Sequence, residues 1–252
     1  MSNSQQAIAV QPAPRTFIDL RKFAQDKRQG IPSAAAAGED RFLSSRRLLD
    51  FPPGPVTAGA IALEAGSGVV QSQPADEFII VDEGSLTLAQ QGSTLTLAQG
   101  QSAVIQHGAA FSWSAQEPVS LIFMRYHDSQ PGDRAIVPIK EDAPLAPSNP
   151  PLAELLLSPT PSCRSYADHR SADGAFACGT WDSTPYHRRA MLYRHYELMY
   201  LIEGSVTFVD EAGCSGTFSR GDIFMVEEEA QCSWESREYV AKVYATYRSA
   251  PR

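Results

Sequence analysis

Apolar and polar residues alternate every second position over short stretches of this chain. Residues 85–88 and 93–98 keep that period around Gln91 and Gly92, which predicts a β-hairpin. Residues 205–209 and 215–218 do the same around a turn at 210–213. A glycine-led turn and an apolar strand follow each hairpin, at 100–105 and 221–226, and further strands are predicted at 119–124 and 240–245. Many short strands with regular turns point to a sandwich or a barrel. Only Leu152 to Leu157 suggests a helical turn or two.

The pattern is used twice. Gly59, Glu77 and Gly84 recur at Gly179, Glu197 and Gly204, a displacement of 120. Gly100, Trp113, Glu117, Val119 and Tyr126 recur at Gly221, Trp234, Glu238, Val240 and Tyr247, displaced by 121 after one inserted residue. That period is too long for a solenoid and fits a duplicated domain. The predicted organisation is an N-terminal arm at 1–50, partly ordered, a first unit at 51–127, a linker at 128–161 and a second unit at 162–252. The linker holds eight of the 18 prolines.

Composition narrows the partners. With 252 residues, 43% hydrophobic and 20% charged, the chain has the apolar content for two compact cores. A net charge of −8 argues against nucleic acid and anionic membranes, which call for a basic face. No apolar run has the length of a transmembrane helix and no secretory leader is recognised, so the expected compartment is the cytoplasm. The four cysteines form no CxxC pair and are read as buried free thiols.

The spacing Glu77-x6-Gly84 with Gly100, repeated as Glu197-x6-Gly204 with Gly221, resembles the cupin pattern. The second unit, from Gly179 through Gly204, Gly221 and Trp234 to Tyr247, resembles the ureidoglycine aminohydrolase type of cupin domain; the first looks like a diverged copy. The resemblance implies an all-β bicupin, two tandem double-stranded β-helix (jelly-roll) barrels. It also implies a divalent metal held by three His and one Glu at a barrel centre. Here the two early His positions fall on Gln71 and Gln73 in unit one, and on Met191 and Tyr193 in unit two. The late one falls on Phe111 and Cys232, and only Glu77 and Glu197 remain. Gln, Met and Phe are poor partners for such ions.

His195 shares strand parity with Glu197, so these two are the candidate metal ligands and the candidate catalytic pair. His187 or Gln231 could add a donor. The expected cofactor is either a divalent ion such as Mn or, on ligand chemistry, none. Arg189, Tyr193, Met191, Trp234 and Cys232 are the candidate ligand-binding residues, with Arg188, Arg189 and Arg194 as an arginine-rich strand suited to a carboxylate. Alternatives stand beside each assignment: Glu77 and Glu197 as carboxylates paired with an inward Arg, the tryptophans as core, Cys232 as a small buried apolar residue. The expected function is binding of, or chemistry on, a small polar nitrogen-containing or carboxylate metabolite in the second unit. A metal-free sensor and a structural bicupin are the alternatives, and the family's habit of associating through barrel faces allows a homodimer.

Overall fold

The computed structural model describes residues 15–34 and 39–249. The arm carries β1 (Ile18–Asp19), α1 (Leu20–Gln25), β2 (Ile31–Pro32), α2 (Arg41–Ser44) and β3 (Arg46–Leu48). The first unit has β4 (Val56–Leu63), β5 (Gly66–Val70), β6 (Asp76–Glu83), β7 (Ser85–Gln90), β8 (Ser93–Ala98), β9 (Ser102–Ile105), β10 (Phe111–Ala115) and β11 (Val119–Tyr126). The linker carries β12 (Ile136–Pro138), β13 (Ala146–Ser148) and a 3-10 turn at Ala153–Leu155. The second unit has β14 (Cys163–Arg170), β15 (Phe176–Ser183), β16 (Tyr186–Leu192), β17 (Tyr196–Glu203) and β18 (Ser205–Val209). It ends with β19 (Ser215–Ser219), β20 (Ile223–Val226), β21 (Gln231–Ser236) and β22 (Val240–Tyr247).

Each unit is a two-sheet barrel. In the first, the sheet β12-β9-β6-β11-β4-β3-β2 faces the sheet β5-β10-β7-β8. In the second, β1-β20-β17-β22-β15-β14-β13 faces β16-β21-β18-β19. β4 and β15, like β6 and β17, are the same strands 120 residues apart. The repeated glycines now have a cause. A Cβ on Gly59 would lie 2.0 Å from the carbonyl oxygen of Arg47, and one on Gly179 would lie 2.0 Å from that of Tyr166, so neighbouring strands pass too close for a side chain.

The two large sheets pack against each other, which makes their strands apolar on both faces. In β6, Ile79 and Val81 enter the core of the first barrel, while Phe78 and Ile80 enter a core shared by both units. In β22, Val240 faces the second barrel's own core, while Val243, Ala245 and Tyr247 join the shared one. Polar groups also cross this junction: His169 Nε2 lies 2.9 Å from Asp76 Oδ2, both buried.

The arm and linker are more ordered than their composition suggests. β1 pairs with β20 of the second barrel, α1 buries Leu20 and Phe23 in the shared core, and β3 joins the first barrel. The proline-rich segment likewise lends β12 to one barrel and β13 to the other. Residues 1–14, which fall in the expected arm, lie outside the described residues. Asp40 anchors α2 to the first barrel, accepting from Phe42 N–H at 2.8 Å, Val69 N–H at 3.1 Å and the Trp113 indole at 2.7 Å. Phe42 is fully buried against Phe111. Phe42→Ala is expected to cost about 3–5 kcal/mol, seen as a lower urea midpoint at unchanged slope; a loss under ~1 kcal/mol would show that α2 is not part of that core. Among the described residues, no helix is long and apolar enough to cross a membrane.

Candidate functional site

The polar centre of the second barrel is built by two strands and one loop. β17 delivers Glu197 on the face it shares with Met199 and Leu201, and β22 delivers Lys242 on the face it shares with Val240. Lys242 Nζ donates to Glu197 Oε1 at 2.8 Å and lies 3.2 Å from Met199 Sδ. It also sits 4.9 Å and 5.3 Å from the ring centres of Trp181 and Trp234, where the π faces favour the charged amine. The loop between β16 and β17 supplies His195, whose Nε2 is 3.4 Å from Glu197 Oε2 and whose Nδ1 is buried without a partner. Burial alone would raise the Glu197 carboxyl; Lys242 and His195 outweigh it and hold the group well below the usual carboxylate range.

Next to this pair stands an arginine. Arg188 is buried, its Nη1 donating to the carbonyl oxygens of Cys232 at 2.8 Å and Arg189 at 3.2 Å, and its Nη2 to the Tyr193 hydroxyl at 3.0 Å. The Tyr193 ring packs 5.2 Å from His195, closing a continuous series from Arg188 through Tyr193, His195 and Glu197 to Lys242. Burial raises the Tyr193 phenol, with the Arg188 charge opposing and the Glu197 charge adding. The Cys232 thiol is pushed up to about 11, mainly by burial, and so stays protonated near neutrality. Tyr186 stacks on Trp234 at 5.5 Å and completes an aromatic wall.

The first barrel solves the same problem differently. Glu77 is wholly buried between Arg46 of β3, at 2.6 Å and 2.9 Å, and Arg125 of β11, at 2.7 Å. Burial pushes Glu77 up, and the two guanidiniums override it, bringing the carboxyl down to about 2. Phe42 and Phe123 face the Arg46 guanidinium from 5.6 Å and 4.7 Å. A cavity of about 580 Å3 is lined by Arg46, Arg47, Asp82 and Ser120 of the arm and first barrel, and by neither Glu77 nor Glu197.

Comparison with known proteins agrees with the double barrel. Residues 170–244 match the EutQ-like cupin domain. The crystal structure of a protein of unknown function of the DUF861 family from Pseudomonas syringae pv. tomato is 33% identical, with a TM-score of 0.79 over 86% of this chain and 92% of that one. The chain is a cupin of the DUF861 family. More distant structures share the fold. A cupin 2 conserved barrel domain protein from Leptotrichia buccalis is 10% identical at TM-score 0.54, covering 95% of this chain and 99% of that one. Salicylate 1,2-dioxygenase from Pseudaminobacter salicylatoxidans is 11% identical at 0.53, covering 96% and 88%. No curated protein matches the sequence.

A divalent metal does not fit the residues this DUF861 cupin presents at Glu197. The carboxylate is already hydrogen-bonded to an ammonium, one imidazole is at hand, and a second cation beside Lys242 would be repelled. Among the described residues, no group of three or more His, Cys, Asp and Glu side chains is arranged to hold an ion.

Of the residues expected at the site, Glu197, His195, Tyr193, Trp234 and Cys232 do come together in the barrel. Two do not. Arg189 is exposed and Met191 half-exposed, because the pairing of β16 with β21 slips between Arg188 and Met191 and the strand ends at Leu192. The slip turns Arg188 inward in place of Arg189. His187 lies across from Glu235 on β21 and Gln231 across from Leu192, so neither belongs to the series at Glu197. Lys242 was missed entirely, although its signal was present: it occupies an inward position of an alternating strand, with Val240 before it. Three of the four cysteines are buried as expected, while Cys214 is exposed.

Proposed function

We propose that this cupin binds a small polar metabolite, carrying carboxylate or nitrogen groups, inside its second barrel without a metal. The observation that carries the reading is the Lys242 ammonium on Glu197, a fixed cation of the chain where the fold's usual chemistry calls for an ion. In this reading Lys242 and Glu197 form a neutral polar floor, the aromatic rings of Tyr186, Trp181 and Trp234 form walls, and His195 offers a hydrogen-bonding nitrogen. Metal analysis of the purified protein, with a thermal-shift screen of amino acids, ureides and sugar acids, tests it. The expected outcome is less than one-tenth equivalent of transition metal after incubation with Mn and rinsing, together with stabilisation by members of the screen. Stoichiometric metal that survives dialysis would overturn the metal-free part.

The His195–Glu197 contact supports a second reading, an aminohydrolase of the ureidoglycine type that uses this pair to move protons. Ammonia release from ureidoglycine, lost in Glu197→Gln, is its expected signature. No release above the uncatalysed rate, with and without added Mn, would remove it.

A further inference from the structure

We infer that the second barrel selects a carboxylate, and that the guanidinium of Arg188 is the group that grips it. The inference rests on the metal-free binding reading above and names the class of ligand. Among the described residues three basic side chains with permanent charge are buried: Arg46, Lys242 and Arg188. Arg46 is paired with Glu77 and Lys242 with Glu197. Arg188, 3% exposed, has neutral partners, two carbonyl oxygens, the Tyr193 phenol and the Cys232 thiol, with the Tyr193 ring 5.4 Å from its central carbon. A buried charge without a counter-charge is costly, and chains seldom keep one unless something supplies the missing anion.

The donor count says where that anion would sit. A guanidinium has five N–H groups. Nη1 spends two on Cys232 and Arg189, and Nη2 spends one on Tyr193. The Cys232 thiol is a further partner of the guanidinium, and no carboxylate accepts from it. Nε and Nη2 share one edge of the guanidinium, and that edge matches the two oxygens of a carboxylate in a bidentate pair. Nearby protein carboxylates are not free to serve: Glu197 is held by Lys242 and His195, and Asp182 by Arg164 and Tyr239. Arg188 also stands opposite Trp234 in the β16–β21 pairing, so a bound carboxylate would have the aromatic wall beside it and His195 Nδ1 further along the same series.

The test is calorimetric titration of the full chain at pH 7 with matched probes: propionate and propionamide, oxamate and oxamide, benzoate and benzamide. At least one acid is expected to bind at least tenfold more tightly than its amide. In Arg188→Met the two members of that pair should bind within threefold of each other, and Arg188→Lys should retain part of the preference. An amide that binds as tightly as its acid overturns the inference, as does a preference that survives Arg188→Met. If Arg188→Met does not fold, the acid-to-amide ratio of the natural protein decides alone. Binding of neutral compounds with no acid bound overturns the carboxylate assignment while leaving the binding reading intact. No binding by any acid, amide or member of the wider screen overturns both.

Discussion

A chain lacking residues 1–48 is expected to lose cooperative folding. The arm places Leu20 and Phe23 in the core between the barrels and Phe42 in the core of the first. Each such side chain contributes roughly 1.5–3 kcal/mol by burial. The same deletion strips Arg46 from Glu77, a buried pair whose disruption costs about 3–5 kcal/mol. These contributions are not strictly additive, yet together they rival the roughly 5–15 kcal/mol that holds a typical domain. The deletion also bares the edge of β20, where β1 pairs, and the edge of β4, where β3 pairs, and exposed edges invite aggregation. The measurement is a urea titration of residues 49–252 beside the full chain, followed by far-ultraviolet circular dichroism. The expected trace for the truncated chain is shallow and without a plateau, or the chain is insoluble. A single sharp transition within ~2 kcal/mol of the full chain would show that the arm is an accessory.

What could be read from the sequence was whatever depends on local period. Alternation located the hairpins, and the turn at Gln91 and Gly92 has the left-handed backbone such a turn demands, with φ of 50° and 81°. The duplication was legible because glycines forced by close backbone approach cannot drift. The two carboxylates were legible for a related reason, being fixed in frame with those glycines. What failed was parity carried across an irregular stretch. Tyr193 to His195 form no strand, so the step from Glu197 back to Arg189 counted residues as though the strand were unbroken. The bulge before Met191 then reversed the answer, replacing an inward Arg189 with Arg188. Long-range pairings were out of reach altogether. That Arg46 would meet Glu77 depends on β3 lying beside β4, and nothing in the spacing of the arm announces that. The expectation of an inward Arg as partner of the retained Glu did hold for Glu77, with two of them, whereas Glu197 recruited a lysine from β22.

Glu77→Gln is expected to destabilise the protein by about 3–5 kcal/mol at pH 7, because it leaves Arg46 and Arg125 charged, close together and without a counter-charge. The pH dependence identifies the cause. The Glu77 carboxyl titrates near 4.5 in an unfolded chain and near 2 when folded, since the two guanidiniums hold it ionised. A depressed folded value means the stabilisation is complete above about pH 4.5 and is lost as the pH falls toward 2. Its size is roughly 3–4 kcal/mol, from two and a half units at about 1.4 kcal/mol each. Urea midpoints of the natural protein should therefore fall steeply across that window, with Glu197 adding to the slope in the same direction. In Glu77→Gln the slope should lose the share of one carboxylate, and the two proteins should converge in stability toward pH 2. Parallel curves over the whole range would place the cost in packing instead. A variant within ~1 kcal/mol of the natural protein at pH 7 would mean the guanidiniums find other partners. The convergence, if seen, also bears on why the first barrel offers little to a ligand. Its carboxylate is held by two arginines and the Arg46 guanidinium is enclosed by Phe42 and Phe123, with Arg46 Nε and Arg125 Nη2 buried without partners. In the second barrel no carboxylate is hydrogen-bonded to the Arg188 guanidinium.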